Sequence, residues 1–388
     1  MKIVFFGTKP YDRVWFEPLS KEYGMEVEFV ESKCAEKSII LAKGADAICV
    51  FVNDKITASM IDKLYEMGVK GILLRCAGFN NVDLKACQGK LRVFRVPAYS
   101  PHAVAEHAMA LLLTVNRRIH KAHNRTREFN FSLQGLTGFD LYGKTVGVIG
   151  TGKIGRVFAD ICRGFGMKIL AYDKFPAVDS GLDYVELDEL FEKSDVISLH
   201  CPLTVETDHL IRSGSIRRMK DGVIILNFAR DALVDDDAMA EALASRKVKC
   251  YVTDFPNEKS ANMPGCIAIP HLGASTEESE DNCARMAVQQ MMDYLENGNI
   301  KNSVNFPACD MGICRTAGRI TILHKNIPNT LSPFTTVMAN ENINIDGLMN
   351  KSRGEYAYTM LDLDHTPSEH AVEELKKING VIRVRVIR

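Results

Sequence analysis

The chain has 388 residues, 46% hydrophobic and 25% charged, and its 48 basic and 49 acidic residues leave a formal charge of −1. That length exceeds one compact core and implies two or three domains, while the even charge excludes the global basic field that nucleic-acid or anionic-membrane binding favours. No apolar run is long enough to span a bilayer, and Met1 leads straight into a short strand with none of the regions of a signal peptide, so a cytoplasmic protein is expected.

Residues 1–100 alternate short β-type runs with amphipathic stretches. Lys2–Phe6, 27–30, 47–51, 72–74 and 93–96 read as strands, most of them continuous apolar runs that suit a parallel sheet covered on both faces. Ser100 suits an N-cap and Pro101 a first helical position, so a helix is expected to residue 118. It is apolar along most of its length, more than a covering helix needs, which predicts a homo-oligomer, dimer or tetramer. A fresh series opens at Gly143. Thr145–Ile149 is a strand and 153–166 a helix with one apolar face, and further strands are expected at Lys168–Tyr172, Val196–Leu199, 223–226, 250–253 and 267–269. Residues 277–295 form a long helix stopped by Asn297-Gly298. Periodicity is lost over 309–318, a linker, and 319–388 then reads strand, helix, strand, strand, helix, strand, a ferredoxin-like order. The fold class is thus α/β, with two doubly wound parallel-sheet domains and a small C-terminal domain. The segments are 1–100 for the first part of a substrate domain, 101–290 for a Rossmann domain, 291–308 for the return, and 319–388 for the tail. Eleven cysteines are scattered without a CxxC pair, which fits free thiols in a reducing compartment and gives no reason to expect a metal.

Gly150-Thr151-Gly152-Lys153-Ile154-Gly155 is a GxGxxG between an apolar strand and an amphipathic helix. Gly150 permits the tight turn, Gly152 lets a pyrophosphate approach the backbone, and Gly155 allows close helix–strand packing. The helix start at Lys153 and Ile154 offers free N–H groups and partial positive charge to the phosphates. The next strand ends at Asp173, where a carboxylate grips ribose hydroxyls and repels a 2′-phosphate, so the expected cofactor is NAD rather than NADP.

Two further segments carry a resemblance. Arg230 lies just past a strand in Asn227-Phe228-Ala229-Arg230, and His271 lies in Pro270-His271-Leu272-Gly273-Ala274-Ser275-Thr276. Residues 1–305 resemble the D-isomer-specific 2-hydroxyacid dehydrogenases, in which a split catalytic domain accompanies a central NAD domain. The resemblance implies that Arg230 holds the substrate carboxylate and carbonyl with its planar guanidinium. It implies that His271 gives a proton to the carbonyl oxygen as hydride arrives. Its third member is a glutamate that pairs with the histidine; aligning Phe255-Pro256-Asn257-Glu258 assigns this to Glu258. The family has an aspartate two residues before that phenylalanine, whereas Thr253 stands there and Asp254 follows; aligned on the aspartate, the position would fall on Lys259. Cys201, Pro202, Ala229 and Asp254 match positions lining the nucleotide, with Cys201 no nucleophile. A non-catalytic NAD-binding sensor of the corepressor kind is the rival from another class, and the Arg230, Glu258, His271 set argues against it.

The two halves of the chain point to different 2-hydroxy acids. Arg75-Cys76-Ala77-Gly78-Phe79 and Val96-Pro97-Ala98-Tyr99-Ser100-Pro101 resemble the D-lactate dehydrogenases. That likeness implies that backbone at Ala77 and Gly78, after Arg75, receives the substrate carboxylate and that Tyr99 closes over a small substrate. From about Met219 the chain resembles the 3-phosphoglycerate dehydrogenases, whose phosphorylated substrate needs cations; Arg75, Arg92 and Arg95 are candidates. Residues 319–388 resemble an ACT domain, in which His324, Asn326 and Asn344 match residues that contact an L-serine effector across a domain pair. Asn329 stands where that module has glycine, and asparagine tolerates the positive φ required. Because the pocket residues lie in the front half, a small 2-oxo acid such as pyruvate is preferred, with the serine-inhibited phosphoglycerate enzyme as the alternative.

Overall fold

The computed structural model describes residues 1–51, 53–97 and 100–387. They fall into two compact units, Met1–Tyr99 with Glu280–Arg388, and Ser100–Ser279. In the first unit β1 (Lys2–Phe6), α1 (Pro10–Glu22), β2 (Glu26–Val30), β3 (Ala47–Val50), α2 (Ala58–Glu66), β4 (Gly71–Leu74), α3 (Leu84–Cys87) and β5 (Arg92–Arg95) build a parallel sheet ordered β2-β1-β3-β4-β5. Every residue of β3 and β4 is buried, as the unbroken apolar runs require. Strand ends run one residue beyond the apolar pattern at Glu26 and Arg92, because backbone pairing does not depend on the side chain. The order reverses between β1 and β3, where loops leave the sheet on opposite faces and open α/β sheets collect ligands.

The second unit holds α4 (Pro101–Asn116), α5 (Ile119–Arg127), β6 (Thr145–Ile149), α6 (Lys153–Gly164), β7 (Lys168–Tyr172), α7 (Leu187–Lys193), β8 (Val196–Leu199), α8 (Ser213–Arg218), β9 (Val223–Asn227), α9 (Asp236–Ala244), β10 (Val248–Thr253), α10 (Glu258–Asn262) and β11 (Cys266–Ala268). Its six parallel strands run β11-β10-β9-β8-β6-β7, with the reversal between β6 and β8. α4 buries Ala105, Ala108, Met109, Leu112 and Val115 in a core shared with Phe158, Ala159 and Cys162 of α6. α5 is an element that the apolar pattern does not announce: it has no buried residue.

α11 (Glu277–Asn297) changes units in its first turn, at Ser279/Glu280. The boundary expected at 290 therefore lies inside a helix. Cys283, Ala284, Ala287, Val288, Met291 and Met292 all join the core of the first unit, so the helix belongs there for most of its length.

β12 (Gly318–Lys325), α12 (Leu331–Asn340), β13 (Ile345–Arg353), β14 (Tyr356–Leu363), α13 (Glu369–Lys377) and β15 (Val381–Val386) give the expected tail order, as an antiparallel sheet β13-β14-β12-β15. The period of two separates its faces. Ile320, Ile322, Leu361 and Leu363 pack with Phe334, Met338, Ala371 and Leu375 of the two helices. Leu323, Tyr358 and Met360 on the other face share one core with Phe94, Tyr294, Met291 and Phe306. The 309–318 stretch is anchored rather than free: Cys309 bridges to Ile300, and the buried Arg319 pairs with Asp362 and donates to the Gly312 carbonyl. All eleven cysteines are free thiols, ten of them buried.

Candidate active site

The glycine loop follows β6 at the strand-order reversal of the second unit. Gly150 has φ 94°, and a Cβ there would stand 2.5 Å from the His200 backbone; a Cβ on Gly155 would stand 2.0 Å from the Gly150 carbonyl. Nothing lies within 4 Å of a Cβ built on Gly152, so the loop is open there and closed on its protein side. Lys153 and Ile154 begin α6, which projects its first N–H groups toward the opening. Asp173, just past β7, accepts hydrogen bonds from Thr151 N at 2.7 Å and Thr151 Oγ1 at 3.1 Å, which ties the acidic residue to the loop itself. Ser198 and His200 continue the rim, with His200 Nε2 2.9 Å from Ser198 Oγ and its ring against Phe158. Burial holds His200 down to about 4. Cys201 is buried and burial pushes its thiol up to about 11, so it is not a nucleophile at neutral pH, while Pro202 is exposed beside it. These groups fit a dinucleotide: a backbone-lined opening for phosphates beside a carboxylate for the ribose.

The second cluster stands past the ends of β9, β10 and β11. Asn227 closes β9 and shapes the turn after it: its Nδ2 donates to the Arg230 carbonyl at 2.8 Å, and its Oδ1 accepts from Ala229 N at 3.2 Å. Arg230 is thereby set with its guanidinium carbon 5.8 Å from the centre of the Phe255 ring. On that same ring, at 4.6 Å between centroids, lies His271. Asp254 follows β10 with no exposed surface; its Oδ2 is 3.0 Å from His271 Nδ1 and accepts from Gly273 N at 3.2 Å. A carboxylate on Nδ1 keeps the hydrogen there and leaves Nε2 for a reacting oxygen.

This geometry corrects the expected pairing. Glu258 is exposed at the first position of α10, and the histidine's carboxylate partner is Asp254, which sequence reasoning placed among the nucleotide-lining residues. The cause is local. Asn257 caps α10 through Ser260 N at 2.8 Å, so the helix starts immediately and carries Glu258 outward. A further residue was missed: His107 of α4 has its ring 5.5 Å from Phe228 and a buried, unpartnered Nε2. Burial lowers its pKa, opposed by the nearby Asp254 charge. The signal was an imidazole beside Glu106 in the mostly apolar run 103–115.

In the first unit, Arg75 is folded inward. Its Nη1 and Nη2 donate to the Phe6 and Gly7 carbonyls at 3.1 and 3.2 Å, Nε is 3.6 Å from Asp12, and the guanidinium stacks on Phe5 and Phe51. Arg95 donates to the Ala77 carbonyl at 3.1 Å and stacks on Phe79, which pins the loop carrying Ala77 and Gly78. Arg92 is buried among Tyr294, Phe306 and Tyr358. Tyr99 lies outside the described residues.

In the tail, His324 and Asn326 come together at a cavity of about 340 Å³ that Asn329, Thr330 and Asn350 also line. His324 Nε2 meets Thr359 Oγ1 at 2.8 Å, and burial keeps its ring below the usual histidine range. Asn329 does adopt a positive φ, 60°. Asn344 is not part of this group. It is bonded to Asp364 and Asp346 at the opposite end of the sheet, because β12 pairs His324 with Ala357 and Gly318 with Leu363.

Residues 109–273 match the model of the D-isomer specific 2-hydroxyacid dehydrogenase NAD-binding domain. A D-lactate dehydrogenase of Escherichia coli is 50% identical over 264 residues, 67% of this chain and 80% of that protein. A 2-hydroxyacid dehydrogenase homolog of Haemophilus influenzae is 52% identical over the same length and the same shares. Among solved structures, apo D-lactate dehydrogenase from Escherichia coli has a TM-score of 0.74 at 43% identity, over 78% of this chain and all of that one. D-lactate dehydrogenase from Aquifex aeolicus, complexed with NAD and lactic acid, has a TM-score of 0.69 at 31% identity, over 79% and all of the respective chains.

Proposed function

Because the chain belongs to the D-isomer specific 2-hydroxyacid dehydrogenase family, we propose that its substrate is a small, unphosphorylated 2-oxo acid of the pyruvate type, interconverted with the D-2-hydroxy acid. The protein is an NAD-dependent oxidoreductase acting on the CH–OH group of 2-hydroxy acids. The observation that carries the substrate reading is the commitment of the front-half arginines. A phosphorylated acid needs cationic partners at an open site, yet Arg75 serves the Phe6 and Gly7 carbonyls, Arg92 is enclosed at 1% exposed, and Arg95 holds Ala77.

Bound at the glycine loop, NADH supplies the hydride. Arg230 orients the substrate carboxylate and carbonyl, and His271 Nε2 gives its proton to the carbonyl oxygen as negative charge develops there. Asp254 keeps the imidazole turned and supplies the counter-charge while the ring carries the proton. In oxidation the same nitrogen takes the proton back. The apolar α4 and the exposed Phe129, Phe131 and Leu133 support a homo-oligomer, and the buried free thiols suit a reducing cytoplasm.

A second reading is favoured by the tail cavity. An ACT-type module there would take an amino acid such as L-serine, and the enzyme would then act on a phosphorylated 2-oxo acid. Amide and imidazole groups at His324, Asn326 and Asn350 can satisfy an amino acid's polar ends without net charge. Steady-state NADH oxidation with pyruvate and with 3-phosphohydroxypyruvate, each with and without L-serine, separates the two. A higher kcat/KM for pyruvate with no serine effect is expected; preference for the phosphorylated acid together with serine inhibition would select the second reading.

A further inference from the structure

Where the tail sheet meets α11, Arg92, Arg383 and Arg385 gather without a carboxylate partner, and some of their donors have no acceptor. Arg92 of β5 is 1% exposed, and its Nε and Nη1 have no hydrogen-bond partner. Arg385 of β15 has its guanidinium carbon 4.8 Å from the centre of the Tyr294 ring and a buried, unpartnered Nη1; its Nη2 donates to the Leu295 carbonyl at 3.1 Å. Tyr294 is fully buried with its hydroxyl within reach of Arg385, and Thr321, paired with Arg385 across the β12–β15 ladder, has its hydroxyl enclosed beside Tyr358. Arg383 adds a third positive charge within range of Arg92 and Tyr294. Among the described residues no salt bridge joins a carboxylate to any of these three arginines; the acidic Asp293 of α11 is turned to Lys301 and Asn299.

Such an arrangement is costly as it stands. A buried guanidinium without counter-charge and several enclosed donors without acceptors each weigh against folding. Three aromatic rings around Arg92, at 5.6, 5.0 and 5.8 Å from Tyr294, Phe306 and Tyr358, offset part of this but accept no hydrogen bond in its plane. The Tyr358 hydroxyl donates to the Gly298 carbonyl at 2.8 Å, which leaves its oxygen to accept from Thr321 but brings no counter-charge to the arginines.

We propose that the tail sheet and α11 enclose a binding site for a small inorganic anion, held by Arg92 and Arg385 and by the hydroxyls of Tyr294 and Thr321. One anion supplies the acceptor that the enclosed Arg92 donors lack and the charge that the arginines lack. The site lies wholly within the first unit and is lined from β5, α11, β12 and β15, so its occupation fastens the tail sheet to the substrate domain. Burial raises the Tyr294 hydroxyl's pKa, but Arg92, Arg385 and Arg383 outweigh it and hold the group low. A phenolate at Tyr294 is therefore the one internal competitor for the role, and the experiment must tell the two apart.

Thermal unfolding of the full chain is followed in sodium gluconate, chloride and phosphate at equal ionic strength. Stabilisation by chloride or by phosphate over gluconate, saturating with concentration, is the expected result; chloride alone marks a halide-sized site, and phosphate preference an oxyanion site. Arg385→Met and Tyr294→Phe, both checked for folding by circular dichroism, should weaken the apparent affinity about ten-fold or more, while Arg13→Met leaves it unchanged. If Arg92→Met fails to fold, the other two variants still decide. Superimposed curves in the three salts overturn the proposal. So does a near-ultraviolet tyrosinate absorbance at neutral pH in gluconate that is absent from Tyr294→Phe and indifferent to added chloride.

Discussion

The role proposed for His271 turns on a bond that a single atom decides. Asp254 Oδ2 at 3.0 Å from Nδ1 sets which ring nitrogen faces a substrate. Asp254→Asn keeps the size but can present an amide N–H to Nδ1, which favours the wrong tautomer, and kcat with pyruvate should fall by about 10²–10⁴-fold. Glu258→Gln, on an exposed residue, should change kcat less than about three-fold by the same reasoning. Steady-state kinetics of the two variants check this, and a larger loss in Glu258→Gln would restore the glutamate to the role. Asp173 belongs to the same scale. Asp173→Ala removes the tether to Thr151 and the carboxylate proposed for the ribose, so NADH binding should weaken and discrimination against NADPH relax; fluorescence titration with both nucleotides reads it. Arg230 and His271 were singled out because each sits in a distinctive string just past a strand, and the structure brings both against the Phe255 ring. The carboxylate beside His271 was not legible: Asp254 and Glu258 are four positions apart, and only the immediate start of α10 at its Asn257 cap decides which one turns inward.

Strands and the glycine loop were readable as elements because burial on both faces writes itself as continuous apolar runs, and because Gly150 and Gly155 stand where any side chain would collide with backbone. α5 was not readable, since a helix with nothing buried leaves no apolar period. Beyond β8, burial has a consequence for stability. His200 is held at about 4 against an ordinary value of about 6.5. Below about pH 6.5 the unfolded chain takes up a proton that the folded chain refuses, so stability is complete above that pH and drains away as pH falls toward 4, then levels. The difference of about 2.5 units corresponds to roughly 3 kcal/mol. Urea unfolding followed by circular dichroism between pH 7 and about pH 4 should show this loss, and His200→Asn should flatten it; an unchanged acid slope in the variant would assign the loss to other groups.

At the scale of the whole chain, the tail's strand–helix order was legible from periodicity, but its place was not. The residues that join it to the substrate sheet, Leu323, Tyr358 and Met360, occupy the ordinary alternate positions of a half-buried strand, and nothing in a strand's pattern says what lies against its second face. The structure answers this by giving Phe94, Met291, Tyr294 and Phe306 the tail as their cover. A tail covering a core differs physically from a tail hung on a linker. Ending the chain at Pro307 should then expose a contiguous apolar face and leave the first unit aggregating or melting well below the full chain. Leu323→Ala makes the same point without truncation, at a cost of about 2–5 kcal/mol from lost burial and the cavity left behind. Calorimetry on both variants decides: if either one unfolds at the temperature of the full chain, the tail is an appendage and the shared core carries no stability. Loss in both makes the tail part of what holds the substrate domain together, whichever ligand its own cavity takes.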